Sequence, residues 1–266
     1  MNSALDAAFA KARSEHRAAL IGYYPAGFPT VEASKRIIDA MLRGGVDVLE
    51  IGLPYSDPLM DGPVIQRAVE LALANGVRIA DVIEVVRTAA ASGVPTLVMS
   101  YWNPIERYGV ERFANELAAA GGVGVINPDL TPEEAGAWKA ATDAAGIART
   151  FLVAPSSTPE RLKIVTEATT GFVYAASLMG VTGERTSMGD AAKTLVERTR
   201  QVTKRPIAVG LGVSTPVQAA QISAYADGVI VGSAFVRAVL DAENETAAIV
   251  AVETLARALA AGVRQQ

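Results

Sequence analysis

The sequence predicts an α/β protein, a closed (β/α)8 TIM barrel formed as a single domain over residues 1–266. Three observations carry that prediction. Short apolar runs rich in β-branched residues recur eight times, separated by longer segments with helical spacing. Such alternation specifies parallel strands joined by crossover helices, and eight units in 266 residues match a closed barrel better than an open sheet. The runs are apolar throughout rather than alternating, as strands covered on both faces must be. No Gly/Ser linker, charge block or shift in composition divides the chain.

In order, the strands are expected at Leu20–Tyr24, Val46–Ile51, Thr96–Met99, Val123–Ile126, Thr150–Val153, Phe172–Ala175, Ile207–Val209 and Val229–Val231. Val31 to Arg43 places Ile37, Ile38, Met41 and Leu42 on one helical face, and Val82, Val85 and Val86 form a second such face. Three segments read as helix starts: Thr131-Pro132-Glu133-Glu134, Ser157-Thr158-Pro159-Glu160 and Ser214-Thr215-Pro216. Proline suits a first turn, where its missing N–H costs nothing, and the preceding hydroxyl accepts from an unpaired amide. Trp138 falls in a helix expected over Glu133–Ala145 and reads as packing. Asp47-Val48-Leu49-Glu50-Ile51-Gly52 and Asp227-Gly228-Val229-Ile230-Val231-Gly232 are faintly alike, which hints at a repeated unit.

Composition excludes several function classes. With 24 basic and 28 acidic residues the net charge is −4, so nothing marks a nucleic-acid partner. No cysteine is present, which removes disulfides, thiolate nucleophiles and Cys-ligated zinc. The one histidine, His16, sits among charges before the first strand and reads as a solvated surface group. No run of sufficient length and apolarity suggests a membrane span, and the N-terminal stretch lacks an apolar leader core, so a cytoplasmic protein is expected.

In this fold the active site lies at the C-terminal ends of the strands. The second strand ends Leu49-Glu50-Ile51-Gly52. A carboxylate among aliphatic neighbours is costly to bury as an anion, so desolvation raises its pKa and suits it to proton transfer near neutrality. The alternative for Glu50 is a structural pair with a lysine or arginine. The following loop, Pro54 to Pro63, carries Asp57, which reads as stabilising its own turn, and Asp61, whose alternative is a helix N-cap. Gly210-Leu211-Gly212 follows the seventh strand and Gly232-Ser233 the eighth, where barrels of this class seat phosphate against a helix N-terminus. The alternative there is a pair of tight strand-to-helix turns. Tyr101 and Trp102 end the third strand and read equally as core, pocket lining or direct participants.

The segment Leu49-Glu50-Ile51-Gly52-Leu53-Pro54-Tyr55-Ser56-Asp57-Pro58-Leu59-Met60-Asp61-Gly62-Pro63-Val64-Ile65-Gln66 resembles the signature of the tryptophan synthase alpha subunit family. Tyr24-Pro25-Ala26-Gly27-Phe28-Pro29, Tyr101-Trp102-Asn103-Pro104, Pro128-Asp129-Leu130, Gly180-Val181-Thr182-Gly183, Gly210-Leu211-Gly212-Val213-Ser214 and Gly232-Ser233-Ala234 agree with it in order, from about residue 18 to residue 237. The stretch Gly121-Gly122-Val123-Gly124-Val125 lacks the aspartate often found there in the family, and Thr131 stands where proline is common.

The resemblance implies a lyase that cleaves indole-3-glycerol phosphate by retro-aldol chemistry to indole and glyceraldehyde 3-phosphate, in tryptophan biosynthesis. It implies that Glu50 is the acid–base catalyst and that Asp61 stabilises positive charge on the indole N–H. It also implies that Gly183, Gly212, Gly232 and Ser233 cradle the phosphate, with Tyr174 near the glutamate, Tyr23 beside the indole and Thr182 on a closing loop. No cofactor is expected in this chain; pyridoxal phosphate is expected in a beta subunit, the partner in an α2β2 heterotetramer. Pro54–Met60 and the stretch around Asp129 would face that partner. The polar stretch Glu184–Gly189 reads as a lid over the site or as a loose surface loop. Alternatives are a stand-alone indole-releasing lyase, a non-catalytic barrel that activates a beta subunit, and another phosphate-binding barrel such as an epimerase or isomerase.

Overall fold

The computed structural model describes residues 3–176, 188–210 and 212–265. Its strands are β1 (Ala19–Pro25), β2 (Val48–Gly52), β3 (Thr96–Met99), β4 (Gly124–Ile126), β5 (Ala148–Thr150), β6 (Leu152–Val153), β7 (Val173–Ala176), β8 (Ile207–Gly210) and β9 (Gly228–Val231). They form one parallel sheet in the order β5-β4-β3-β2-β1-β9-β8-β7-β6. Only Phe151 separates the segments at the two ends of that order. The expected strand at Thr150–Val153 is therefore divided: residues 148–150 pair with β4 and residues 152–153 with β7. The ring closes as an eight-stave barrel.

Its helices are α1 (Ser3–Ser14), α2 (Val31–Arg43), α3 (Pro63–Ala74), α4 (Ile79–Ala90), α5 (Trp102–Tyr108), α6 (Val110–Ala119), α7 (Gly136–Ala145), α8 (Pro159–Ala168), α9 (Met188–Arg200), α10 (Pro216–Ser223), α11 (Ser233–Leu240) and α12 (Glu245–Gly262). Two of the expected starts are N-caps. Thr158 and Thr215 accept the amides of Arg161 and Gln218, and proline opens each helix. The third is not. Thr131–Glu134 makes one turn, closed by the Glu134 amide on the Thr131 carbonyl at 3.1 Å. Ala135 then leaves helical geometry with ψ 20°, and α7 begins only at Gly136. Trp138 is packing, as expected: it is fully buried and its ring meets those of Trp102 and Phe113.

The described residues form two apolar cores. The larger joins the outer faces of the strands to the helices, with Ile37, Ile38 and Met41 from α2 and Val82, Val85 and Val86 from α4. The smaller fills the barrel with inward residues such as Ile21, Val48, Leu97, Phe172 and Ile230, and α1 plugs its lower end with Leu5, Phe9 and Ala12. The Phe9 and Phe172 rings lie 5.7 Å apart. His16 ends α1 exposed to solvent with φ 53°.

The faint repeat has a structural counterpart. The Asp47 carboxylate, just before β2, accepts the Leu20 amide at the base of β1 at 2.9 Å. Asp227, just before β9, accepts the Ile207 amide at the base of β8 at the same 2.9 Å. Each aspartate ties the lower end of the neighbouring strand. Asp47 also holds Arg17, whose buried guanidinium makes a two-point contact at 2.6 and 2.9 Å. Among the described residues no helix is long and apolar enough to cross a membrane.

Candidate active site

The upper ends of the strands leave a cavity of about 570 Å³, within the usual range for small-molecule sites. Tyr23, Glu50, Asp61, Tyr174, Gly212, Gly232 and Ser233 all line it. The sequence-predicted residues therefore meet in one space, except Thr182 and Gly183, which lie outside the described residues. Positions 184–187 of the expected lid also lie outside them, whereas Met188 and Gly189 belong to α9.

The strand register places the first pair. Tyr23 on β1 stands directly opposite Glu50 on β2, and Tyr174 on β7 is fixed in the same way by β6 and β8. These inward positions form the last layer above the apolar filling of the barrel. Glu50 is fully buried, and among the described residues neither carboxylate oxygen has a hydrogen-bond partner. No lysine or arginine of the described residues pairs with it, so the structural ion-pair reading does not hold. Burial alone pushes the Glu50 carboxyl up to about 8. A group so placed is protonated at neutral pH yet able to cycle through its anion.

Asp61 comes from the loop between β2 and α3. It is not an N-cap: Gly62 takes that position and no side chain caps α3. Gln66 Nε2 instead donates to the Asp61 backbone carbonyl at 2.7 Å, which fixes the loop and leaves the carboxylate for the cavity. Burial raises the Asp61 carboxyl, and a hydrogen bond from the Tyr101 hydroxyl opposes that rise. Tyr101, which the sequence left among three readings, stands next to the acid. Its hydroxyl also accepts the Met60 amide at 3.0 Å, so one side chain positions the loop and touches the acid. The turn at Asp57 is local, as expected, with the Ser56 hydroxyl donating to the Asp57 carboxylate at 2.6 Å.

Two glycines give the tyrosines room. A Cβ at Gly52 would lie 2.3 Å from the Tyr23 hydroxyl, and one at Gly210 would lie 2.5 Å from the Tyr174 hydroxyl. Desolvation drives both phenols upward, so they stay protonated as hydrogen-bond donors. The glycines after β8 and β9 serve turn geometry and cavity shape together. Gly212 has φ 68°, a left-handed backbone that disfavours any side chain. Gly232 lies beside Tyr23, where an added Cβ would come 3.0 Å from the ring.

The remaining wall was not anticipated. Met60, Val64, Ile65, Met99 and Leu152 make it apolar, suited to a flat aromatic ring, and Arg237 of α11 closes the end beside Ser233. Met99 and Leu152 were findable as inward residues at strand ends. Asp129 does not reach the cavity. Its carboxylate accepts the Trp102 amide at 2.9 Å and anchors the start of α5. Among the described residues no cluster of His, Asp and Glu could hold a metal ion.

Comparison with known proteins agrees with this geometry. The family model "Tryptophan synthase alpha chain" matches residues 9–264. The tryptophan synthase alpha chain of Thermobifida fusca is 60% identical over 258 residues, 96% of this chain and 96% of that one. That of Mycobacteroides abscessus is 56% identical over 257 residues, 97% of this chain and 96% of its own. A solved structure of Mycobacterium tuberculosis tryptophan synthase superposes with a TM-score of 0.92 at 52% identity, covering 99% of both chains. The alpha subunit from Legionella pneumophila does so at 0.90 with 33% identity, covering 99% of this chain and 98% of that one. With a family match across nearly its whole length and an acid-bearing barrel mouth of this form, the chain belongs to the tryptophan synthase alpha chain family.

Proposed function

We propose that the cavity at the mouth of the barrel is where this lyase of tryptophan biosynthesis cleaves indole-3-glycerol phosphate, with Glu50 as acid and base and Asp61 as the charge stabiliser. The observation that carries the assignment is the burial of Glu50 with no counter-cation among the described residues, in one cavity with Asp61.

Cleavage of the carbon–carbon bond needs somewhere for its electron pair to go. Protonated Glu50 delivers its proton to indole C3, which converts the ring to an indoleninium with positive charge at nitrogen. The Asp61 carboxylate faces that N–H and offsets the charge. The Glu50 carboxylate then takes the proton of the hydroxyl on the carbon attached to the ring. The C–C bond breaks, its electron pair restores the aromatic indole, and the hydroxyl carbon becomes the aldehyde of glyceraldehyde 3-phosphate. Glu50 ends protonated, as it began. The elevated Glu50 pKa serves the first step, because a carboxyl at its ordinary 4.5 would be empty at neutral pH.

The substrate's indole fits the apolar wall between Tyr23 and Met99, and its phosphate fits Gly212, Gly232 and Ser233, where the N-terminus of α11 borders the cavity. The resemblance also assigns Thr182 and Gly183 to this site; they lie outside the described residues. In this family the alpha chain works without a cofactor and pairs with a beta subunit that holds pyridoxal phosphate. Leu59 and Met60, 78% and 41% exposed, present apolar surface on the loop assigned to that partner. The chain acts in the cytoplasm.

Release of indole from indole-3-glycerol phosphate, measured with and without a beta subunit, tests the assignment. Cleavage that rises on adding the beta subunit supports it. A chain that releases indole in neither case contradicts it.

A further inference from the structure

We propose that Arg237 is a substrate-binding residue, a side-chain cation that meets the phosphate. The proposal rests on the reading of the cavity given above. Arg237 is the only lysine or arginine among the described residues that line it. Glu50 and Asp61 line the same space, so an incoming phosphate of about two negative charges enters a site that already carries acids. Backbone amides and a helix dipole supply only partial positive charge, equivalent to about half a unit at a helix N-terminus.

The placement of Arg237 supplies the rest. It lies four residues after Ser233 on α11, on the same face, and the intervening rise is about 6 Å. Helical side chains lean toward the N-terminus, so the arginine stem runs back along the helix toward Gly232 and Ser233. Among the described residues its side chain makes no ion pair or hydrogen bond, although Asp241 stands one turn further on. Most other arginines of the outer helices do have such a partner, as in Arg36 with Glu245 and Arg43 with Glu253, and of the unpartnered ones only Arg237 lines the cavity. An exposed guanidinium without a partner at the rim of an anion seat is available for a two-point contact with phosphate oxygens.

The test uses the full chain, with indole-3-glycerol phosphate as substrate and inorganic phosphate as competing probe. Arg237→Ala should raise KM tenfold or more and weaken inhibition by inorganic phosphate in parallel, while kcat falls less than threefold. Arg237→Lys should recover part of the loss, since a single positive charge still reaches the seat but without the two-point contact. Affinity for free indole should stay within twofold in both variants, a result that a general disturbance of the fold would not give. A KM and phosphate inhibition constant within twofold of wild type in Arg237→Ala would overturn the proposal. Glu50→Gln is run alongside: if it cleaves normally the reading of the cavity itself fails, whereas its inactivity together with an indifferent Arg237→Ala removes only the arginine.

Discussion

The Tyr101 hydroxyl accepts the Met60 amide at 3.0 Å, which joins the loop after β2 to the end of β3 next to Asp61. The same hydroxyl hydrogen-bonds the Asp61 carboxylate and holds its pKa below the value burial alone would give. Burial also drives the phenol itself up to about 12, so it keeps its proton as a donor throughout the working range. Tyr101→Phe should therefore shift the acid limb of the kcat/KM profile to higher pH, because Asp61 loses a bond that favours its anion. The expected fall at neutral pH is about tenfold, the scale of one charge-assisted hydrogen bond. An unmoved acid limb would detach Tyr101 from Asp61.

Stability should depend on pH through Glu50. Its folded carboxyl titrates near 8 against an ordinary 4.5, so the folded state binds the extra proton between those values. The stability this proton contributes is fully present below pH 4.5 and is lost as pH rises through 8. Glu50→Gln cannot ionise. Its Tm relative to wild type should rise between pH 5 and pH 9, by an amount corresponding to a few kcal/mol at about 1.4 kcal/mol per pKa unit. Calorimetry that finds a constant difference across this range would show that Glu50 is not raised.

The phosphate end separates backbone from side-chain effects. Gly212→Ala forces a side chain onto a φ of 68° and should cost about 1 kcal/mol, a Tm drop of roughly 2–4 °C in a chain of this size. Ser233→Ala carries no such strain. It should raise KM several-fold at unchanged Tm by removing one hydroxyl from the seat. A Ser233→Ala enzyme with the wild-type KM would place the phosphate elsewhere.

At the other end of the barrel, Asp47→Ala should destabilise without touching the chemistry. It strips the buried Arg17 guanidinium of its two-point partner and leaves the Leu20 amide without its acceptor. Glu15 still pairs with Arg17, so the loss should be about 3 kcal/mol rather than more. Denaturant unfolding would measure it, and a change under 1 kcal/mol would mean that the arginine finds other partners.

Much of this was legible in the chain because burial on both faces writes strands as unbroken apolar runs. A charged residue such as Glu50 inside one of them then stands out. Proline after threonine marked α8 and α10 for a similarly local reason. The same pattern misled at Thr131, where a buried Ala135 with ψ 20° stops the turn from continuing into α7. The plug α1 left little trace, because Leu5, Phe9 and Ala12 are its few inward residues among charges and alanines. Tyr101 and Arg237 gain their roles only when loops and helices distant in sequence converge, and no local pattern encodes that.

Direct measurement of indole release by Glu50→Gln and Asp61→Asn, with folding checked by calorimetry, addresses the central claim. Glu50→Gln should lose more than a hundredfold in kcat with its fold intact, and Asp61→Asn should lose much of the rate while still binding substrate. A Glu50→Gln enzyme that keeps more than a tenth of wild-type turnover would contradict the acid–base assignment and with it the account of this site.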